Sequence, residues 1–237
     1  TVTYDLGTGG GQTVNVLGDL TVGNNSNIVR LYCQTYNPTL DVDGNVLITG
    51  TAEFAASGSA SFTVGGNWTN NGTFTNSSGT VTFNATTTGH TLSGSLSGTT
   101  NRFNIINFSG SGGEWTLGAN LETNAASATA LAVTAGTLKN GGFSITGSGA
   151  TDTFSVSNGA FFEMSGTSAY PVSFTTYTYG ATSTTKYLQT GATTLVGATY
   201  GNLEVGTQND SNTPTYTMNA ITVVAGTLTI GNAAGSN

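Results

Sequence analysis

The stretch Tyr200–Gly206 (YGNLEVG) has already occurred near the start of the chain, in nearly the same form, as Leu17–Gly23 (LGDLTVG). A looser copy, Phe103–Ser109 (FNIINFS), lies between them. Apolar residues alternate with polar or small residues in these copies, which is the pattern of a half-buried strand. A repeat of this kind indicates an architecture built by stacking similar units. The sequence therefore predicts a chain assembled from repeated short strands.

Further markers give the length of the repeat. The tripeptides Leu40–Val42 (LDV), Leu131–Val133 (LAV) and Ile221–Val223 (ITV) recur at intervals of 91 and 90 residues. Val81–Phe83 (VTF) likewise returns 91 residues later as Val172–Phe174 (VSF). We therefore expect the side chains of Phe83, Val133 and Phe174 to point inward in one stacked apolar column.

The same spacing predicts one continuous repeat domain over residues 1–237. Residues 1–16 end a unit, 17–102 form unit 1, 103–199 form unit 2, and 200–237 are a partial unit 3. Within unit 2, residues 170–187 carry four tyrosines and depart from the pattern, so we expect an inserted or elaborated loop there.

Short strands between glycine turns predict an all-β fold and allow two architectures. The first is a β-solenoid of short Gly/Thr/Asn-rich strands, resembling a parallel β-helix. At roughly 22 residues per rung it would have about ten or eleven rungs, in a rod about 50 Å long. The alternative is a pair of tandem β-sandwich domains, because 91 residues is close to the size of an immunoglobulin-like sandwich. The tripeptide rhythm favours the solenoid, and Cys33, the single cysteine, leaves no Cys…Trp…Cys sandwich core.

Composition narrows the class of function. Only 6% of residues are charged and the net charge is −7, with four basic residues in the whole chain. Nucleic acid is therefore not expected as a partner, since phosphate binding needs clustered Lys and Arg. The sequence has no apolar run long enough to span a bilayer, so membrane insertion is not expected either. A surface of hydroxyls and amides suits packing against copies of the same chain, because few ions would be buried.

Several phrases resemble a known class of protein. Gly65–Phe74 (GGNWTNNGTF), Gly79–Phe83 (GTVTF), His90–Gly94 (HTLSG) and Ala225–Ile230 (AGTLTI) look like the β-strand-repeat proteins of bacterial cell surfaces. Those proteins are similar in style to filamentous-haemagglutinin-type adhesins. The resemblance implies a secreted, extracellular or cell-surface protein and provides no catalytic residues or cofactor.

We expect a non-enzymatic structural protein, a self-assembling part of a filament, layer or stalk. Its partners would be copies of itself, or further repeats of the same polypeptide, and its N-terminus would be a processed, mature one. Both ends carry bare strands that further strands could extend. The assembly residues predicted on these strands are Thr1, Val2, Thr3, Tyr4, Ile221, Val223, Leu228 and Ile230.

The alternative function is an adhesin or carbohydrate-binding surface protein with surface glycans as a partner. Exposed aromatic rings would stack on sugars, and the candidates are Tyr170, Tyr177, Tyr179 and Tyr187, with Trp68 or Trp115.

Other chemistry has little support in the sequence. Asp41, Asp43 and Asn45 resemble the start of a calcium loop, but the distal Glu is missing, and a turn explains Asp43 and the glycine after it. His90 is the only histidine and is expected in a polar turn. Cys33 is expected to be a buried small residue, with an intermolecular disulfide as the alternative. We expect no cofactor and no enzymatic activity.

Overall fold

The computed structural model describes residues 1–125, 129–167, 170–206, 214–218 and 221–231. These residues form 28 short strands, numbered β1 to β28 in chain order, and contain no helix. Every strand pairing is parallel, and the partner of each strand is the equivalent strand one turn away. The chain is therefore a β-solenoid of about nine turns, and the tandem-sandwich alternative is wrong.

Three sheets run along the solenoid. The first contains β1 (Val2–Asp5), β4 (Val29–Tyr32), β7 (Glu53–Ala55) and β10 (Thr73–Thr75). The second contains β2 (Thr13–Val16), β5 (Thr39–Val42), β8 (Phe62–Val64), β11 (Thr80–Phe83), β13 (Ile105–Phe108), β16 (Thr129–Val133), β19 (Thr153–Val156) and β21 (Thr176–Tyr179).

The third sheet is the longest and shows the turns most clearly. Its strands are β3 (Leu20–Val22), β6 (Val46–Ile48), β9 (Trp68–Asn70), β12 (His90–Gly94), β14 (Glu114–Leu117), β17 (Thr137–Lys139), β20 (Phe161–Gly166), β22 (Thr184–Gln189), β25 (Asn202–Val205) and β28 (Leu228–Ile230). Paired residues are 18 residues apart between Thr185 and Leu203 and 26 apart between Leu20 and Val46. Most turns are longer than 22 residues, and the ten strands of this sheet are ten rungs joined by nine turns, the lower end of the ten or eleven rungs expected.

Short pairs complete the walls where the long sheets stop. They are β15 (Leu121–Glu122) with β18 (Ile145–Thr146), β23 (Thr193–Thr194) with β26 (Tyr216–Thr217), and β24 (Thr199–Tyr200) with β27 (Val223–Val224). We call the side of the solenoid that begins with the first sheet the first wall. It continues through the isolated bridges Leu96–Leu121, Phe103–Thr123 and Thr146–Val172 and the pair of β15 with β18.

Alternating side chains build the core. In the second sheet Val64, Phe83, Phe108, Val133 and Val156 stack turn upon turn, and all are buried. One apolar cluster extends from Val22 to Val205. The column of Phe83 and Val133 is confirmed, and Phe174 is buried in the same core, but its expected place in this column is wrong. The next residue in that column is Tyr179, which pairs with Val156.

The error at Phe174 has a topological cause. Val172 forms an isolated bridge with Thr146 on the first wall, so Val172–Phe174 is not on the sheet that contains Val81–Phe83. A similar displacement affects the repeated heptapeptides. The strands at Leu17–Gly23 and Tyr200–Gly206 belong to the third sheet, whereas β13 belongs to the second.

The 91-residue spacing has a simple structural meaning. Leu40 is connected to Leu131 by four successive register steps, through Phe62, Val81 and Ile106. One sequence repeat therefore equals four turns. Residues 170–187 also fit this pattern, because they contain β21 and the start of β22, so the expected inserted loop is wrong.

Asparagines link the turns at the corner before the third sheet. The side-chain oxygen of Asn45 accepts hydrogen bonds from the backbone and side-chain nitrogens of Asn67, both at 2.8 Å. Asn67 in turn accepts one from the backbone N–H of Thr91 at 2.7 Å. Asn158 and Asn202 make equivalent bonds to the next turn. These bonds provide polar cohesion without charge, which explains the amide-rich composition.

Candidate functional site

The first turn presents open strands. Among the described strands, β1 and β3 pair on one side only, with β4 and β6. All four residues of β1 are exposed, including Val2 and Tyr4, and Thr1 beside them is exposed as well. The outer backbone N–H and C=O groups of these strands have no strand partner among the described residues, an arrangement that a further strand can extend.

The last described turn is equally open. The strand β28 pairs on one side only, with β25, among the described strands. Its Leu228 and Ile230 continue the inward columns of Leu203 and Val205, yet Ile230 is 73% exposed because no described turn covers it. Ile221 is 76% exposed as well.

Exposed apolar side chains are concentrated at these two ends. The large apolar residues that the structure describes as exposed are Val2, Tyr4, Leu17, Ile28, Phe161, Val172, Met218, Ile221, Val223, Leu228 and Ile230. Only Phe161 and Val172 in this set lie away from the ends. Six of the eight predicted assembly residues are in the set, and the other two, Thr1 and Thr3, are exposed beside them.

The chain's four basic residues are all ion-paired across turns. Arg30 contacts Glu53 at 2.9 Å and Arg102 contacts Glu122 at 3.0 Å. Lys139 contacts Glu114 at 2.8 Å, and Lys186 contacts Glu204 at 3.0 Å. Each pair is partly exposed, so it contributes little to stability, on the order of 0–1 kcal/mol. No basic residue is left without an acidic partner.

A groove crosses the solenoid at β14, β17 and β20. It consists of two adjoining depressions of about 460 Å³ and about 310 Å³, which share Glu114, Thr137 and Phe161. We call the two together the Phe161 groove. The larger depression follows the corner before the third sheet, and the smaller lies on the outer face of that sheet. The residues that line only one of them are Thr88, Ser111, Gly112, Gly113, Ala135, Gly136, Asn158 and Gly159 in the larger, and Lys139, Glu163 and Lys186 in the smaller.

A glycine at the corner of the groove leaves its floor without a side chain. Gly136 has a φ of 75°, and a Cβ there would lie 2.5 Å from the carbonyl oxygens of Gly110 and Gly113. A side chain at this position would be strained and would meet backbone, so the floor remains bare peptide.

Phe161 was missed by the sequence analysis, although a signal existed. Phe161 and Phe162 are adjacent in β20, and successive side chains of a strand point to opposite faces. Phe162 is fully buried, so Phe161 has to face outward, and the residue is 39% exposed. It pairs with Thr137 on one side and Thr184 on the other.

Glu163 follows Phe161 on the same outer face. Its register partners are Lys139 and Lys186, whose ammonium groups contact Glu114 and Glu204 instead. Among the described residues, Glu163 makes no ion pair. Burial raises the pKa of the Glu163 carboxyl, and this outweighs the two lysines, which lower it; Glu114 and Glu204 raise it further.

The expected exposed tyrosine cluster is wrong for two of its members. Tyr187 is fully buried and Tyr170 nearly so. The Tyr187 hydroxyl lies 2.8 Å from that of Tyr200, which donates to the carbonyl of Val196 at 2.9 Å. Burial raises the pKa of Tyr200 to about 12.

Tyr177 and Tyr179 are half-buried, and Tyr177 lines a depression of about 460 Å³ beside Pro171 and Val172. The Tyr177 hydroxyl donates to the carbonyl of Pro171 at 2.7 Å, and the ring of Tyr179 lies 4.9 Å from that of Tyr200. The Trp68 and Trp115 rings are fully buried, so they cannot contact a sugar either.

The weak calcium candidates have other partners. Thr63 donates its hydroxyl proton to Asp41, and the Asn45 oxygen accepts two hydrogen bonds from Asn67. Asp43 is exposed at the same corner. The described part of the chain holds no group of three His, Cys, Asp or Glu side chains arranged to bind a metal ion.

The single histidine and the single cysteine have structural surroundings. His90 begins β12, and its Nε2 lies 2.9 Å from the hydroxyl of Thr87. Cys33 is 1% exposed, and burial raises the pKa of its thiol to about 11. The prediction of a buried small residue at Cys33 is confirmed.

Comparisons with known proteins give no relative. No protein-family model matches the chain, and neither the curated proteins nor the solved structures contain a match. Across the described ranges, no helical segment has the length and apolar character needed to cross a bilayer.

Proposed function

We propose that this chain is a non-enzymatic, extracellular structural protein whose copies stack end to end into a filament or surface array. The observation that carries the proposal is the one-sided pairing of the first and last described turns, whose strands β1, β3 and β28 each have one partner among the described strands. Each of these two turns has a strand edge without a partner among the described residues. Each also has an exposed apolar residue, Tyr4 or Ile230, that continues an inward-facing column. A surface of this kind normally requires a cover.

The two ends are complementary in sequence and in register. Leu228–Ile230 (LTI) at one end and Leu20–Val22 (LTV) at the other both belong to the third sheet. Stacking one on the other would place Leu228 over Leu20 and Ile230 over Val22, which continues each column as the neighbouring turns do. A head-to-tail contact of this kind does not close on itself and therefore grows into an open filament.

The distribution of charged residues also favours another copy of the chain as the partner. The four basic residues are already paired within the chain, and the end strands β1, β3 and β28 contain a single charged residue, Asp5. End-to-end packing would therefore bury few ions, whose desolvation is the main obstacle to association. The extracellular location rests on the resemblance to bacterial surface repeat proteins.

The test is to place a charge in the proposed contact. Ile230→Asp would bury an unpaired carboxylate between copies, so we expect it to abolish polymers seen by electron microscopy and by light scattering. Val172→Asp is the matched control, since Val172 is an exposed apolar residue away from both ends, and it should assemble like wild type. Deletion of residues 1–6 should block assembly at the other end.

Two results would reject the proposal. One is a wild-type chain that stays monomeric at every concentration examined. The other is an Ile230→Asp chain that polymerises as readily as the Val172→Asp control.

A further inference from the structure

The geometry points to the Phe161 groove as a binding site for an uncharged oligosaccharide. This inference does not depend on assembly, because Phe161, Thr137 and Glu163 lie in the middle turns. It also differs from the tyrosine site expected from the sequence, whose candidate rings are buried or half-buried.

The exposed ring provides the apolar half of the site. Its column neighbours Thr137 and Thr184 are small, so the face of Phe161 stands clear on both sides along the sheet. A buried aromatic ring would contribute to the core, whereas this one leaves apolar surface in contact with water inside a concave site. The C–H face of a pyranose ring has the flat, weakly apolar shape that covers such a ring.

A column of charged side chains beside Phe161 provides the polar half of the proposed site. Lys139, Glu163 and Lys186 follow one another on successive strands, about 4.8 Å apart. An ammonium group has three N–H donors and the carboxylate has several acceptor sites, so donor, acceptor and donor alternate along the groove. Among the described residues each lysine contacts one glutamate, Glu114 or Glu204, which leaves further N–H groups of its ammonium for a ligand.

This alternation selects the chemistry of the ligand. A sugar hydroxyl both donates and accepts, so a row of hydroxyls can satisfy the whole column. A polyanion would meet Glu114 and Glu163, and a polycation would meet Lys139 and Lys186. Glu163, which has no ion pair among the described residues, is the carboxylate that would accept from the ligand. The ligand that fits both the exposed Phe161 ring and the charged column beside it is a chain of neutral hexoses.

The bare peptide at the corner allows the ligand to extend beyond one ring. The larger depression continues from Phe161 to Gly136 and Gly112, and its lining adds the polar side chains of Ser111 and Asn158. Together the two depressions are lined by four successive strands of the third sheet, β14, β17, β20 and β22, which is room for more than one sugar unit.

The experiment titrates wild-type protein with cellohexaose, laminarihexaose and mannohexaose up to millimolar concentration, by calorimetry and by saturation-transfer NMR. We expect at least one of them to bind, with an affinity that changes little with salt because no net charge is neutralised. Phe161→Ala should weaken that binding about tenfold through loss of the stacking surface. Thr184→Ala is the matched control, since Thr184 occupies the same column one turn on but does not line the groove.

Several outcomes would overturn the inference. None of the three hexasaccharides binds at millimolar concentration, or Phe161→Ala binds as well as Thr184→Ala. Binding confined to polygalacturonate or chitosan and abolished by salt would also reject a neutral ligand. Circular dichroism of each variant checks that the solenoid is intact, and an assembly defect in Ile230→Asp would leave all these results unchanged.

Discussion

A single inward side chain in this fold contacts its equivalents in the turns above and below. Phe83 lies between Val64 and Phe108, and its ring is stacked on that of Phe108 at 5.4 Å. Phe83→Ala should therefore lower the free energy of unfolding by about 3–5 kcal/mol, the range for a large aromatic removed from a packed core. Thr82→Ala on the outer face of the same strand should change it by no more than about 0.5 kcal/mol. Chemical denaturation measures both, and equal losses would contradict the register.

The buried thiol makes a second prediction at this scale. Because Cys33 is 1% exposed and burial raises its thiol pKa to about 11, little thiolate is present at pH 8 and reagents cannot reach it. Iodoacetamide should modify the native protein far more slowly than the protein in denaturant, as followed by mass spectrometry. Similar rates in the two states would mean that this corner of the solenoid opens readily.

Glu163 predicts a pH effect with a definite sign. Since burial raises its pKa in the folded protein, the folded state holds the proton more tightly than the unfolded chain. The stability it contributes is therefore present in acid and is lost as pH rises through the folded pKa. Glu163→Gln should be more stable than wild type at pH 7, and the difference should vanish below the unfolded pKa of about 4.3. Thermal unfolding across pH checks this, and a less stable variant at pH 7 would show that the two lysines dominate.

At the scale of the strand and its corner, hydrogen bonds between turns replace charge. Asn45 accepts two bonds from Asn67 and donates to Asp19 at 2.9 Å. Asn45→Ala should destabilise the protein by about 1–2 kcal/mol, since a net hydrogen bond contributes about 1 kcal/mol. Asp43→Ala, two residues earlier and exposed, should be nearly neutral in the same denaturation experiment. A neutral Asn45→Ala would show that the asparagine contacts add nothing.

The positions of the strands could be predicted from the sequence, whereas the pairing of one strand with another could not. Alternation alone predicted strands within Leu17–Gly23 and Phe103–Ser109, because the two-residue period of a strand is visible in consecutive residues. Which strands pair depends on turn lengths that vary from 18 to 27 residues, and no local sequence pattern specifies these lengths. For this reason Phe174 was assigned to the wrong column, and the neighbouring lysines and glutamates of the Phe161 groove were not recognised as one site.

For the whole molecule, cooperativity is expected to vary along the axis. Each turn contacts chiefly its two neighbours, so a central turn is held from both sides and a described end turn from one. Amides in β9 to β20 should exchange with deuterium more slowly than those in β1 and β28. In assembled material the protection of β1 and β28 should rise towards that of the centre. Uniform exchange along the chain in the unassembled protein would contradict this gradient.

Because the turns stack in register, the length of the solenoid can change by one whole turn at a time. Phe108 and Val133 are direct register partners, so excising residues 109–133 would join equivalent points of two successive turns. The strand β12 would then adjoin β17, and every surviving column would remain continuous. The product should be a shorter folded rod, whereas a cut of half a turn would place strands on the wrong walls. Lineages carrying this architecture can therefore gain or lose reach by duplication and deletion, without redesigning a core.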